Sequence, residues 1–113
     1  MKSMLAALAV LALAAPVAAR AASWEKVSLI DQMCKAKFES HADDHPTSCL
    51  LKCAGSGYGI ITADGKWLKL DKAGNEKAVA ALKATSRKDH VRVDVSGALK
   101  GDTIAVTSLA IPD

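Results

Sequence analysis

All three cysteines and two of the three histidines of this chain lie in one short stretch, residues 34–53. The five side chains are Cys34, His41, His45, Cys49 and Cys53. Thiolates and imidazoles are ligands that zinc and copper bind well, and two thiols can also pair into a disulfide. No other part of the sequence offers a comparable group, so this stretch is the candidate site of the chain.

A short helix is predicted to carry most of these side chains. Proline is tolerated at the first helical position and acidic residues favour the positive end of a helix, so residues 43–46 form its entrance. The helix itself covers residues 47–54 and ends before a glycine. Its spacing puts His45, Cys49 and Cys53 at i, i+4 and i+8, along one face.

One hypothesis for these residues is a metal site. Cys34 would join the three helical side chains, so that three thiolates and one imidazole bind zinc in a tetrahedral site, or a subset binds copper(I). The predicted ligands are Cys34, His45, Cys49 and Cys53. The same spacing also arises from helical packing, in which case His45 is only a helix-entrance residue beside a proline.

A structural disulfide is the other hypothesis, and it requires no cofactor. Cys34 should be one partner, because a bridge between Cys49 and Cys53, one turn apart on a helix, would distort that helix. Cys34–Cys49 is the preferred pairing and Cys34–Cys53 the alternative. The third thiol is then buried, linked to a second chain, or held by a metal or redox partner. A thiol-redox enzyme ranks lower, because its usual spacing is C-x-x-C at a helix start.

Residues 1–21 have the layout of a secretory signal peptide. Lys2 gives a positive start, and residues 5–15 form an apolar run too short to span a bilayer. Small residues precede Ala21, which predicts cleavage after it, and a cut two residues earlier is the alternative. The mature domain, residues 22–113, is therefore expected to be periplasmic or secreted and not bound to a membrane.

Chain length and net charge limit the number of domains and the classes of function that the chain can have. Cleavage after residue 21 of 113 leaves 92 residues, enough for one small domain whose modest core gains from a covalent or metal staple. Cleavage also leaves 13 basic against 12 acidic residues. A near-neutral chain with 4% aromatic residues lacks the positive field and the stacking side chains of a nucleic-acid binder. We therefore expect no nucleic-acid partner.

Five strands and a second helix are predicted around the candidate site. Polar and apolar residues alternate, with β-branched side chains enriched, in the predicted strands 24–30, 58–62, 66–70, 90–95 and 103–109. The Asp64-Gly65 pair favours a tight hairpin turn between the second and third strands. Asn75 is expected to cap a helix over residues 76–84.

This order of elements predicts a mainly β fold with two short helices. The OB-fold, a five-stranded, partly open Greek-key barrel, is the best match if its helix lies between the third and fourth strands. The Cys/His stretch then inserts a further helix between the first and second strands. Because the first-to-second and fourth-to-fifth loops of that fold border its ligand-binding face, the stretch is expected at the functional rim. An open α+β meander with one helix layer is the alternative.

Several motifs of the mature chain resemble those of a group of small exported bacterial proteins. They are Asp31-x-x-Cys34, His45-x-x-x-Cys49-x-x-x-Cys53, Gly57-Tyr58-Gly59, Asp64-Gly65-Lys66, Val93-x-Val95-x-Gly97 and Gly101-Asp102-Thr103-Ile104. The resemblance implies an OB-like barrel with Cys and His in its first loop and an exported protein, and it implies no particular activity.

The third predicted strand carries a possible ligand face. Trp67 falls on the opposite side of that strand from Leu68 and Leu70, so it can either stack on a ligand together with Lys66 and Lys69 or cover an edge of the core. Elsewhere there is no nucleophile elbow, no glycine-rich phosphate loop and no recognisable pair of catalytic carboxylates.

The sequence therefore predicts a binding or structural module rather than an enzyme. Its partner is expected to be a small ligand or a protein, and one disulfide staples the domain, which is a monomer or a Cys-linked dimer. The alternative is a zinc- or copper-binding protein, or a thiol-redox protein, that uses the Cys/His group.

Overall fold

The computed structural model describes residues 20–112, which form a closed barrel of five strands with short helices. The strands are β1 (Arg20–Asp31), β2 (Tyr58–Ile61), β3 (Trp67–Leu70), β4 (Arg92–Lys100) and β5 (Thr103–Ala110). The α-helices are α1 (Lys35–Phe38), α2 (Thr47–Lys52) and α3 (Lys72–Ala84), and 3₁₀ turns cover Gln32–Cys34, Ala42–Asp44 and Ala54–Ser56. None of the helices in this part of the chain is long and apolar enough to cross a membrane. Of the predicted signal peptide, residues 1–19 lie outside the described residues.

The strand order around the barrel is β1-β2-β3-β5-β4, with β4 returning to β1. Neighbouring strands are antiparallel except β3 and β5, which form a short parallel pair with Leu70 opposite Ile104. Because α3 lies between β3 and β4, this is the OB-like topology that the element order predicts. The barrel is closed rather than partly open, since the β3–β5 and β1–β4 pairs leave no free edge among these strands.

Local sequence signals account for most of the strands. The Asp64-Gly65 turn joins β2 to β3 as predicted, and Gly65 has a φ of +85°, which glycine adopts without strain. Alternate residues of β4 point inward, so that Val93 and Val95 are buried. The barrel core also receives Leu50 of α2. The core consists of Val27, Leu29, Leu50, Tyr58, Ile60, Leu68, Leu70, Ala78, Leu82, Val91, Val93, Val95, Ile104 and Val106.

The second predicted helix begins earlier than expected. Asp71, not Asn75, is the N-cap residue of α3, and its Oδ1 accepts hydrogen bonds from Gly74 N–H at 2.9 Å and from Val106 N–H at 3.2 Å. The Asn75 side chain instead accepts from Tyr58 N–H at 2.8 Å, which ties α3 to β2. The prediction was wrong because both residues are good caps, and only the position of β5 decides between them.

The first strand is longer than predicted, since β1 starts at Arg20, opposite Leu99 of β4. A bulge between Trp24 and Val27 bends it around the barrel. Cleavage after residue 21 would remove the first two residues of β1, whereas the alternative cut two residues earlier leaves the strand whole.

Replacing Asp71 by Ala tests which residue caps α3. We expect the free energy of unfolding to fall by about 2 kcal/mol, because the change removes the helix cap and leaves the Val106 N–H without its acceptor. Urea unfolding followed by circular dichroism measures this. Glu76→Ala on the exposed side of α3 is the control and should change stability by less than about 0.5 kcal/mol. Equal effects of the two substitutions would contradict the assignment.

Candidate functional site

Asp31, the last residue of β1, connects the barrel to the insert that carries the cysteines, residues 32–57. Its side chain is fully buried, with 0% exposed. Oδ2 accepts a hydrogen bond from the backbone N–H of Cys34 at 3.0 Å and so caps the turn Gln32–Cys34. This hydrogen bond fixes the Cys34 backbone next to the end of β1.

His45 occupies the other oxygen of this carboxylate. Its Nε2 lies 2.7 Å from Asp31 Oδ1, and the side chain of His45 is 1% exposed. Phe38 stacks on the imidazole with ring centroids 4.2 Å apart, and the buried Nδ1 has no hydrogen-bond partner among the described residues. His45 precedes α2, whose N-cap is Pro46, so it positions Asp31 rather than extending a helical stripe. His41 is exposed, with Nδ1 beside a serine hydroxyl.

Two hydrogen bonds join the turn that carries Cys34 to the turn that follows Cys53. The backbone N–H of Gln32 donates to the carbonyl of Gly57 at 2.8 Å. The backbone N–H of the next residue donates to Oγ of Ser56 at 3.2 Å. The two cysteine-bearing segments, far apart in the chain, are therefore held side by side.

The result is a group of three metal-competent donors. A carboxylate oxygen of Asp31 and the Sγ atoms of Cys34 and Cys53 all lie within 4.8 Å of one another. Of the four predicted metal ligands, the structure thus brings Cys34 and Cys53 together and adds Asp31. Within residues 20–112, His45 and Cys49 are not members of this group, and His45 reaches it only through Asp31.

Neither of the two predicted disulfides is formed in the structure. All three cysteines are free thiols and half-buried, and Cys34 and Cys53 lie 4.4 Å apart. Cys53, the C-cap of α2, lies beside Cys34 because the backbone hydrogen bonds of Gln32 and Met33 join the two turns. The pairing held as the alternative is the one whose partners lie together.

Burial and negative charge raise the pKa values of two groups at the site, the Cys34 thiol and the Tyr58 hydroxyl. Burial, then the neighbouring Asp31 carboxylate, then Cys53, raise the pKa of the Cys34 thiol to about 11. Burial, followed by Asp31 and Cys53, raises the pKa of Tyr58 to about 12, and its hydroxyl donates to the carbonyl of Leu50 at 2.7 Å. At neutral pH both groups are therefore protonated, and Cys34 is a weak nucleophile.

Two residues of the site, Asp31 and Met33, were not predicted as site residues. Asp31 was part of the Asp-x-x-Cys motif, and its spacing three residues before Cys34 is that of a side chain capping a turn, which is the signal that could have identified it. Met33 adjoins Cys34 in sequence, and its Sδ lies 4.0 Å from Cys53 Sγ. No local pattern predicts that contact, because it depends on the two turns meeting.

The predicted ligand face on β3 is partly covered. The ring of Trp67 packs on Gly59, where an added Cβ would lie 2.5 Å from the ring, and Lys35 Nζ lies 5.5 Å from the ring centroid on a cation–π contact. Lys66 and Lys69 are exposed. Trp67 therefore packs across the β2–β3 pair, and Lys35 of the insert lies over its ring.

Comparison of the chain with protein-family models, curated proteins and solved structures finds no match. The resemblance to small exported bacterial proteins accordingly stays a prediction.

The reactivity of Cys34 tests the electrostatics of the site. Because the thiolate is the reactive form and the pKa is about 11, we expect slow alkylation by iodoacetamide at pH 8, with a rate that rises roughly tenfold per pH unit towards pH 11. Peptide mass mapping at timed intervals measures it. Asp31→Asn, which keeps an oxygen for His45, should speed the reaction at pH 8, and Asp44→Asn on the surface should not. A rate for Cys34 that levels off near pH 8.5 would contradict the assignment.

Proposed function

We propose that this chain is an exported, single-domain binding module whose ligand is a soft metal ion held by Cys34 and Cys53. The observation that carries the proposal is the meeting of two thiols and a carboxylate within 4.8 Å at the end of β1. The signal peptide predicted from residues 1–21 supports the exported location.

The donors suit a soft cation. Thiolate sulfur binds zinc and copper(I), and two cysteines from different segments give a site that only the folded chain forms. Cys34 comes from a turn fixed by Asp31, and Cys53 comes from the end of α2. Since hydrogen bonds join these turns, the two sulfurs are positioned before any ion arrives.

The negative charges that the site can carry favour the binding of a cation. If both thiols ionised beside Asp31, three negative charges would lie within 4.8 Å of one another. Each pair at that separation costs about 3 kcal/mol at an effective dielectric constant of ~20. A bound cation removes this repulsion, so ionisation of the thiols and metal uptake are coupled.

A structural disulfide between Cys34 and Cys53 is the second candidate, and their 4.4 Å separation favours it. A disulfide needs about 2.05 Å between sulfurs, which small side-chain rotations supply. Two electrons and two protons leave the thiols as the S–S bond forms, and a disulfide-exchange partner takes them up. Such a bridge would link the two ends of the insert and stabilise the domain by about 3 kcal/mol.

Metal titration of cysteine variants tests the first candidate. Reduced wild-type protein, kept free of oxygen, should bind one Cu(I) or one Zn(II) per chain in competition with a chromogenic chelator. Cys34→Ser and Cys53→Ser should each weaken binding by more than the roughly 10–100-fold typical of losing an outer-shell partner. Cys49→Ser is the matched control and should bind like wild type. No binding by the reduced wild type, or equal loss in Cys49→Ser, would overturn the proposal.

Peptide mapping without reductant tests the second candidate. Protein isolated from the exported fraction is alkylated, digested and analysed by mass spectrometry. A Cys34–Cys53 linked peptide together with alkylated Cys49 is the expected outcome if the bridge forms. Three alkylated cysteines would contradict a disulfide in this module, and a chain-to-chain link through Cys49 would identify the Cys-linked dimer.

A further inference from the structure

Met33 is the one large hydrophobic side chain that is exposed among residues 20–112, with 72% of it accessible. A single exposed apolar residue is ordinary on a protein surface. Its position is not ordinary, because Met33 lies between Asp31 and Cys34 in the turn that forms the site. Its Sδ is 4.0 Å from the Sγ of Cys53.

We propose that Met33 is a third sulfur ligand and makes the site selective for copper(I) over zinc. This inference rests on the proposed function and specifies the ion. Zinc sites in proteins use thiolate, imidazole and carboxylate ligands, whereas thiolate together with thioether selects copper(I).

The backbone of Met33 is held in place by a hydrogen bond. Met33 N–H donates to Oγ of Ser56 at 3.2 Å, and the same hydroxyl donates to the carbonyl of Cys53 at 2.9 Å. One serine side chain therefore connects the backbones of the two residues whose sulfurs meet. The exposed side chain needs to order only its own rotamer to bind an ion already held by the cysteines.

Asp31 and His45 carry the oxygen and nitrogen donors near the cysteines, and they are hydrogen-bonded to each other. Asp31 Oδ1 lies 2.7 Å from His45 Nε2, and Oδ2 accepts from Cys34 N–H at 3.0 Å. The imidazole of His45 is turned to Asp31 and covered by Phe38. Both carboxylate oxygens of Asp31 and Nε2 of His45 thus already take part in hydrogen bonds within the site.

Exchanging Met33 for Leu tests the inference, because leucine keeps the size and apolar character but has no sulfur. The affinities of reduced protein for Cu(I) and for Zn(II) are measured separately by chelator competition. Met33→Leu should lower the Cu(I) affinity by about tenfold or more and leave the Zn(II) affinity within about twofold. Gln32→Leu, at the neighbouring exposed position, is the matched control and should change neither affinity.

Each outcome decides between the two proposals. Unchanged Cu(I) affinity in Met33→Leu, or equal losses for both ions, would overturn the role of Met33 while the cysteine site stands. Zn(II) bound more tightly than Cu(I) by the wild type would overturn the selectivity. Failure of the reduced wild type to bind either ion would overturn the proposed function and this inference with it.

Discussion

The buried carboxylate of Asp31 is the interaction on which the candidate site depends. It ends β1, accepts from His45 Nε2 and from Cys34 N–H, and is itself inaccessible to water. Removing one partner of this buried hydrogen bond is costly, typically about 1–3 kcal/mol, because the other polar group is left buried without a partner. Asp31 therefore couples the barrel to an insert with few buried residues of its own.

The insert is positioned by hydrogen bonds rather than by a large apolar core. Leu50 is its main contribution to the barrel interior, and Phe38 covers His45 from outside. The remaining order comes from turns capped by side chains and from bonds such as Gln32 N–H to Gly57 O. Such an arrangement can hold two cysteines in register while leaving their sulfurs half-exposed, as a site for an incoming ion or for thiol exchange requires.

The barrel was predictable from the sequence because its signals are local. The Asp64-Gly65 turn and the alternation of Val93 and Val95 each determine an element within a few residues. The cap of α3 was not predictable in this way, since Asp71 is selected by a bond to Val106, a distant residue of β5. From the local sequence alone, Asn75 is as good a candidate for the N-cap of α3 as Asp71.

The site was predictable in composition but not in geometry. The helical spacing relates Cys49 to Cys53, and their backbones are joined by a hydrogen bond of 3.2 Å, but that spacing does not show that Cys53 meets Cys34 and Asp31. His45 was predicted as a metal ligand from its spacing. In the structure it is hydrogen-bonded to Asp31, a contact that depends on the path of the insert and that spacing alone does not predict. The same path brings Met33 beside Cys53, a contact between residues that are separated by twenty positions.

Copper K-edge X-ray absorption of the reduced, copper-loaded protein tests the central claim most directly, because it reports which atoms surround the ion. The account predicts a first shell of sulfur atoms alone, from Cys34, Cys53 and Met33, with one sulfur scatterer fewer in Met33→Leu. Imidazole scattering from His45 or His41, or a first shell dominated by oxygen, would contradict it.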